Sequence, residues 1–250
     1  MTKSHQKEVA LFVTCLIDNV RPGIGFSVVT LLEQSGYSVV VPERQTCCGQ
    51  PNYNGGDKDN ALKVARQVID VFLPYEYVVV ASGSCGGMIK QHYPDLLADD
   101  SEYRKKAEQL ADKVYELSCF LTEVVCFKPE KTEVKKVTYH DACAGLRELK
   151  IKDQPRQLLK QAGAEIVEMS EPEVCCGFGG TFCVKYPDIS NRMVEKKGLD
   201  ALNSGADALV SGDLGCTLNM EGKLHRDGHD LPVYHYAELL AQATVKKGDY

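Results

Sequence analysis

Short runs of β-branched and aromatic residues alternate along the chain with longer segments whose apolar residues recur at helical spacing. Residues 9–14, 37–41 and 77–81 are apolar runs bounded by turn residues, a pattern that predicts three buried strands. Between them, 26–34, closing on Gly36, and 60–72, closing ahead of Pro74, predict helices. The second half repeats the pattern, with strands expected at 137–139, 165–168 and 208–210 and helices at 154–161 and 189–202. Strand alternating with helix predicts an α/β fold of parallel βαβ units, one open sheet in each half.

The cysteines repeat with the elements. Cys15, Cys47 and Cys48 recur as Cys143, Cys175 and Cys176, each 128 positions later, and both Cys-Cys pairs are followed by glycine, Gly49 and Gly177. A further cysteine closes each set, Cys85 and then Cys216, displaced by 131 positions, so a three-residue insertion restores the register. Four cysteines in register mark a duplicated module. The charged stretch 127–133 separates the copies, giving modules at 1–127 and 134–250.

Composition narrows the class. The chain has 250 residues, 44% apolar and 26% charged, enough to bury a full core. A net charge of −6 disfavours a basic nucleic-acid or membrane-surface footprint. No apolar run reaches the roughly 18 to 20 residues of a membrane-spanning helix. Lys3 and Lys7 ahead of the apolar stretch 9–17 imitate a signal peptide, but Glu8 interrupts the basic region and Asp18-Asn19-Val20-Arg21 offers no small-residue cleavage site. The stretch reads as a strand and the chain as cytoplasmic, reaching the inner face of a membrane only through partners. Eleven cysteines in a reducing compartment then point to metal or redox chemistry rather than disulfides.

All eight registered cysteines follow the C-terminal ends of predicted strands, where open α/β sheets form their ligand crevice. Four converging thiolates suit zinc or an iron-sulfur cluster. Adjacent cysteines bend poorly toward a single small ion but can reach different irons of a cluster, which favours a [4Fe-4S]-type centre in each module, with zinc open at one of them. The expected metal ligands are Cys15, Cys47, Cys48 and Cys85, then Cys143, Cys175, Cys176 and Cys216. Gly49, Gly177, Gly179 and Gly180 allow backbone N–H groups to approach sulfur. The segments around Cys85, with Gly86, and around Cys216 are expected to open helices whose positive ends lower those thiols' pKa. Neither half holds a complete dinucleotide or Walker motif.

Other residues carry weaker expectations. Cys119 and Cys126 read as core. Cys183, without a counterpart in the first half, reads equally as an accessory ligand or as packing. His140, ahead of Asp141 and Cys143, reads as a structural hydrogen-bonded histidine or as a donor, proton carrier or metal ligand at the centre. His92 reads as exposed on a helix, and Arg147 as a carboxylate anchor or a solvated side chain. No nucleophile-base pair marks a hydrolase.

The paired Cys-Cys-Gly modules resemble the CCG-domain family, whose members include a heterodisulfide reductase component and the glycolate oxidase iron-sulfur subunit. The chain length, the lack of an attached ferredoxin segment, and the motifs Gly83-Ser84-Cys85-Gly86-Gly87-Met88 and His140-Asp141-Ala142-Cys143 look most like its lactate-utilisation members. The resemblance implies an iron-sulfur electron-transfer subunit of an L-lactate-oxidising complex producing pyruvate, working with a ferredoxin-like subunit and a third subunit. A heterodisulfide reductase-like thiol redox subunit and a zinc-stabilised assembly scaffold are the alternatives. Heterodisulfide reductase modules end in Cys-x-x-Cys, whereas Met88 and Asn219 stand here at the last position, leaving four expected cysteine ligands per module rather than five.

Overall fold

A computed structural model describes residues 7–241. The first half runs β1 (Lys7–Phe12), α1 (Cys15–Val20), α2 (Pro22–Gln34), β2 (Tyr37–Val40), α3 (Gln50–Gly55), α4 (Lys58–Phe72), β3 (Val78–Val80), α5 (Gly83–Gly87), α6 (Tyr93–Leu96), α7 (Ser101–Lys113), β4 (Val114–Glu116) and α8 (Leu117–Cys119). The second half runs β5 (Lys136–His140), α9 (Cys143–Glu148), α10 (Asp153–Gln161), β6 (Glu165–Ile166), α11 (Phe182–Lys185), α12 (Pro187–Asn203), β7 (Ala208–Ser211), α13 (Leu214–Arg226), β8 (Val233–His235) and α14 (Tyr236–Leu240). Every strand pairing is parallel, in two sheets ordered β2-β1-β3-β4 and β6-β5-β7-β8.

Each sheet has four strands where the sequence predicts three. The additional strands, β4 and β8, are three residues long and end in Glu116 and His235. A polar residue in so short a run hides it from a hydrophobic pattern, and parallel pairing on β3 and β7 supplies what local propensity does not. The remaining predicted strands and helices stand close to where the pattern sets them. The N-terminal limit of the first module and the C-terminal limit of the second lie outside the described residues.

Successive residues of a strand point to opposite faces, and this alternation organises the core. In the first sheet Val9, Leu11 and Val79 point to an inner cluster that also takes Ile24, Leu31, Tyr37 and Phe120. From the second sheet Val137, Tyr139 and Val210 enter the same cluster with Leu158 and Tyr236, so one core spans both halves. The outward residues Ala10, Phe12, Val78 and Val80 join a separate cluster beneath α4 that contains Cys48 and Cys85. On the second sheet Leu209 faces outward, in a cluster with Val194, Met220, Cys176 and Cys216. The cysteines thus belong to the two outer layers.

The contact between halves is polar as well as apolar. Ser82 and Asp213 occupy the same place in the repeat, 131 positions apart, and meet across it: Ser82 Oγ donates to Asp213 Oδ2 at 2.8 Å. The Ser84 N–H donates to that oxygen at 3.0 Å, while Asp213 Oδ1 caps α13 through the Gly215 N–H at 3.2 Å. His235 Nε2 lies 3.1 Å from the Ala81 carbonyl, and the Tyr236 hydroxyl donates to Glu116. Nearby, α5 and α9 touch through their backbones, since a Cβ on Gly83 would stand 2.8 Å from Gly145 Cα. Among the described residues, no helix is long and apolar enough to cross a membrane.

Candidate metal centres

In the first half, β1 delivers Cys15 at the start of α1, the loop after β2 delivers Cys47 and Cys48, and β3 delivers Cys85 within α5. The thiols meet in two pairs: Cys15 Sγ lies 3.7 Å from Cys47 Sγ, and Cys48 Sγ lies 3.3 Å from Cys85 Sγ. Cys48 and Cys85 are buried, whereas Cys15 and Cys47 are half-buried on the solvent side. The second half repeats this arrangement with Cys143 beside Cys175, Cys176 beside Cys216, and the same inner and outer distribution of burial.

Both Cys-Cys turns are closed by a left-handed glycine, Gly49 at φ +79° and Gly177 at φ +85°. Each turns its N–H onto the first sulfur of the pair, 3.4 Å from Cys47 Sγ and from Cys175 Sγ. Those two thiols are held well below the ordinary thiol range, first by the bond from Cys15 or Cys143, then by the neighbouring Cys48 or Cys176 thiol, with the glycine N–H adding to it. Cys15 and Cys143 move the opposite way, through the same shared bonds and through burial. Cys47 and Cys175 are therefore the first to ionise, which is the form a metal requires.

Several expectations are corrected here. Helices do open around Cys85 and Cys216, but the Cys216 thiol is raised: the Cys176 bond lowers it, and burial with the nearby Asp213 outweighs that bond. The Gly86 N–H is used inside α5, donating to the Ser82 carbonyl; its missing side chain instead makes room for Leu149, whose Cδ1 would lie 3.0 Å from a Cβ. Cys183 turns its thiol toward the Gly180 carbonyl of its own loop at 3.4 Å. Cys126 is exposed, at φ +50°, and does not serve the core. His92 is half-buried rather than exposed, 3.3 Å from Glu148 of the second half and tilted over Tyr53. Arg147 is exposed.

Two side chains do work that residue type does not announce. Asn219 donates from Nδ2 to the Cys176 carbonyl at 2.9 Å, and in the first half the Tyr93 hydroxyl donates to the Cys48 carbonyl at 2.8 Å. Met88, at the position matching Asn219, is fully buried in the outer core. Asn219 and Tyr93 brace the Cys-Cys turns through the backbone, and Met88 packs beneath one of them.

His140 ends β5 with no solvent exposure, and neither ring nitrogen has a partner in good hydrogen-bond geometry, the nearest being the Pro172 backbone, which weakly raises its pKa. Its ligand atom lies with those of Cys176 and Cys216 in a group all within 4.8 Å of one another. Burial pushes the ring's pKa down to about 3, and Lys197 adds to this, so the imidazole is neutral at physiological pH. Lys197 is itself buried, which lowers its pKa, and donates to the Glu171 carbonyl close to Cys176. Convergent soft donors, N–H groups aimed at sulfur and an orphaned buried imidazole suit a metal or iron-sulfur group.

Parallel α/β modules with cysteines gathered at the strand ends define a cysteine-rich redox or metal-site class, and the chain belongs to the CCG cysteine-rich domain family, whose model matches residues 9–90 and 137–221. It is 44% identical over 236 residues to lactate utilization protein A of Shouchella clausii, covering 93% of this chain and 98% of that protein. It is 42% identical to lactate utilization protein A 2 of Bacillus cereus over 241 residues, 96% of this chain and all of the relative. A hypothetical protein from Helicobacter pylori of known structure shares the fold at a TM-score of 0.69 and 13% identity, over 96% of this chain and 49% of that one.

Proposed function

We propose that this chain serves in lactate utilisation as the iron-sulfur electron-transfer subunit of an L-lactate-oxidising complex. Each module, 1–127 and 134–250, holds one centre: Cys15, Cys47, Cys48 and Cys85 in the first, Cys143, Cys175, Cys176 and Cys216 in the second. A ferredoxin-like iron-sulfur subunit and a third subunit complete the complex in the cytoplasm. The observation that carries the reading is the duplicated quartet, with the helix bearing Cys85 in backbone contact with the helix that begins at Cys143. That contact brings a ligand-bearing helix of one module against a ligand-bearing helix of the other, an arrangement suited to passing electrons between neighbouring centres. The names of the relatives supply lactate.

An iron-sulfur cluster, when bound, takes up and releases single electrons. This chain's residues supply the setting. Cys47 and Cys175 offer the first thiolates, the Gly49 and Gly177 N–H groups offset charge on sulfur, and burial of Cys48, Cys85, Cys176 and Cys216 excludes water from the inner half of each crevice. Near the second centre, burial lowers the Lys197 pKa while the Cys176 thiolate acts to raise it.

No nicotinamide or flavin fingerprint is present to accept a hydride, so the purified chain given lactate and an artificial electron acceptor is expected to show no turnover. Deleting the gene is expected to abolish growth on lactate, with recovery on restoring the wild type but not the Cys47→Ser or Cys175→Ser variants. Growth on lactate restored by both variants, or turnover by the pure chain alone, would contradict the proposal.

A further inference from the structure

We propose that His140 is a direct ligand of the C-terminal centre, binding metal beside Cys176 and Cys216. The inference rests on the reading that this crevice holds a metal centre, and it adds a nitrogen donor that the cysteine repeat does not contain. Three observations converge. Alternation along β5 sends Val137 and Tyr139 to the inner core and therefore sends His140 to the outer face, where Cys176 and Cys216 lie. The three ligand atoms stand within 4.8 Å of one another, close enough for all three to reach one metal centre with small side-chain movements.

The third observation is energetic. A fully buried polar group without a partner is destabilising, and both nitrogens of this ring are in that state while its backbone carbonyl accepts from Ser211 Oγ at 3.3 Å. Coordination satisfies one nitrogen.

The first module shows what the position looks like without this role. Counting back 128 residues from His140 reaches Phe12, fully buried on the outer face of β1 in the cluster of Cys48 and Cys85, with its ring 5.2 Å from that of Phe72. An apolar ring fills the site in one module and a ligating ring fills it in the other. The repeat is symmetric in its thiols and unequal in its donors, so the two centres differ in coordination.

The test uses full-length Cys15→Ser/Cys48→Ser protein, in which the first quartet is disabled, reconstituted anaerobically with ferrous iron and sulfide. Pulsed electron paramagnetic resonance is expected to show a metal-bound imidazole nitrogen whose signal changes when the protein is labelled with ¹⁵N-histidine. In His140→Phe on the same background that signal is expected to vanish, and a chelator should remove iron at least about tenfold faster. An iron-sulfur centre without histidine coupling, or coupling that survives His140→Phe, overturns the inference while leaving the iron-sulfur reading intact. If no iron-sulfur centre forms, that reading fails, and cobalt(II) loaded alone then decides the ligand: histidine coupling to cobalt supports His140, and its absence overturns it. Both wild-type-residue measurements stand even if His140→Phe fails to fold.

Discussion

Replacing Arg156 with methionine is expected to destabilise the C-terminal module by about 3–5 kcal/mol, the cost of leaving a buried charge without its partner. The guanidinium grips Asp141 with both terminal nitrogens, Nη1 to Oδ1 at 2.6 Å and Nη2 to Oδ2 at 2.9 Å, and takes Glu168 at 2.6 and 3.0 Å. Glu168 is partly solvated and tolerates the loss, but Asp141 is 1% exposed and depends on this one ion pair. For a chain of this size the midpoint of thermal unfolding should fall by roughly 6–20 °C. Asp141 also lies between His140 and Cys143, so the same variant should shed metal from the second centre before the first. Adding Asp141→Asn to Arg156→Met should recover much of the loss, because the uncompensated charge disappears with it. A fall of under about 1 kcal/mol in the single variant would show that the pair is dispensable.

Gly177→Ala should be more damaging than Gly49→Ala, its counterpart in the first module. An L residue at φ +85° carries about 1–2 kcal/mol of left-handed strain. The added Cβ would also stand 2.8 Å from the Ser190 carbonyl oxygen, whose backbone lies inside α12 and cannot turn away. At Gly49 the strain is similar, but the nearest atom is Val64 Cγ1 at 3.1 Å, a side chain able to shift. Gly177→Ala is therefore expected to empty the C-terminal centre, and Gly49→Ala to leave most of the N-terminal metal in place. Metal analysis of the two variants, purified side by side, checks the ranking. Equal losses would mean that the left-handed turn alone, and not the crowding by α12, sets the effect.

Much of this architecture could be read from the chain itself. The apolar runs at 9–14 and 137–139 lead to β1 and β5 because central strands of a parallel sheet, buried on both faces, are written as continuous hydrophobic stretches. The cysteine register anticipated the two crevices for a related reason: side chains at strand ends are placed by topology, and the repeat gives the topology twice. What stayed hidden depends on residues that meet only after folding. Nothing local distinguishes Ser82 or Asp213 as partners across the module contact, and Glu116 and His235 look like loop residues until their strands pair. Cys126 looks like core by residue type but takes a left-handed conformation at the surface. His140 was visible as a candidate, yet its orphaned nitrogens follow from burial on the outer face of β5, which composition cannot report.

The two quartets should form separate iron-sulfur sites. Iron and acid-labile sulfide should be measured in the anaerobically purified chain and in its folded Cys15→Ser/Cys48→Ser variant, with visible absorption recorded on both. The wild type is expected to contain both iron and sulfide and to absorb as an iron-sulfur protein, and the variant to lose about half of each while keeping the C-terminal centre. Zinc without sulfide in the wild type, or loss of all iron from the folded variant, would contradict it.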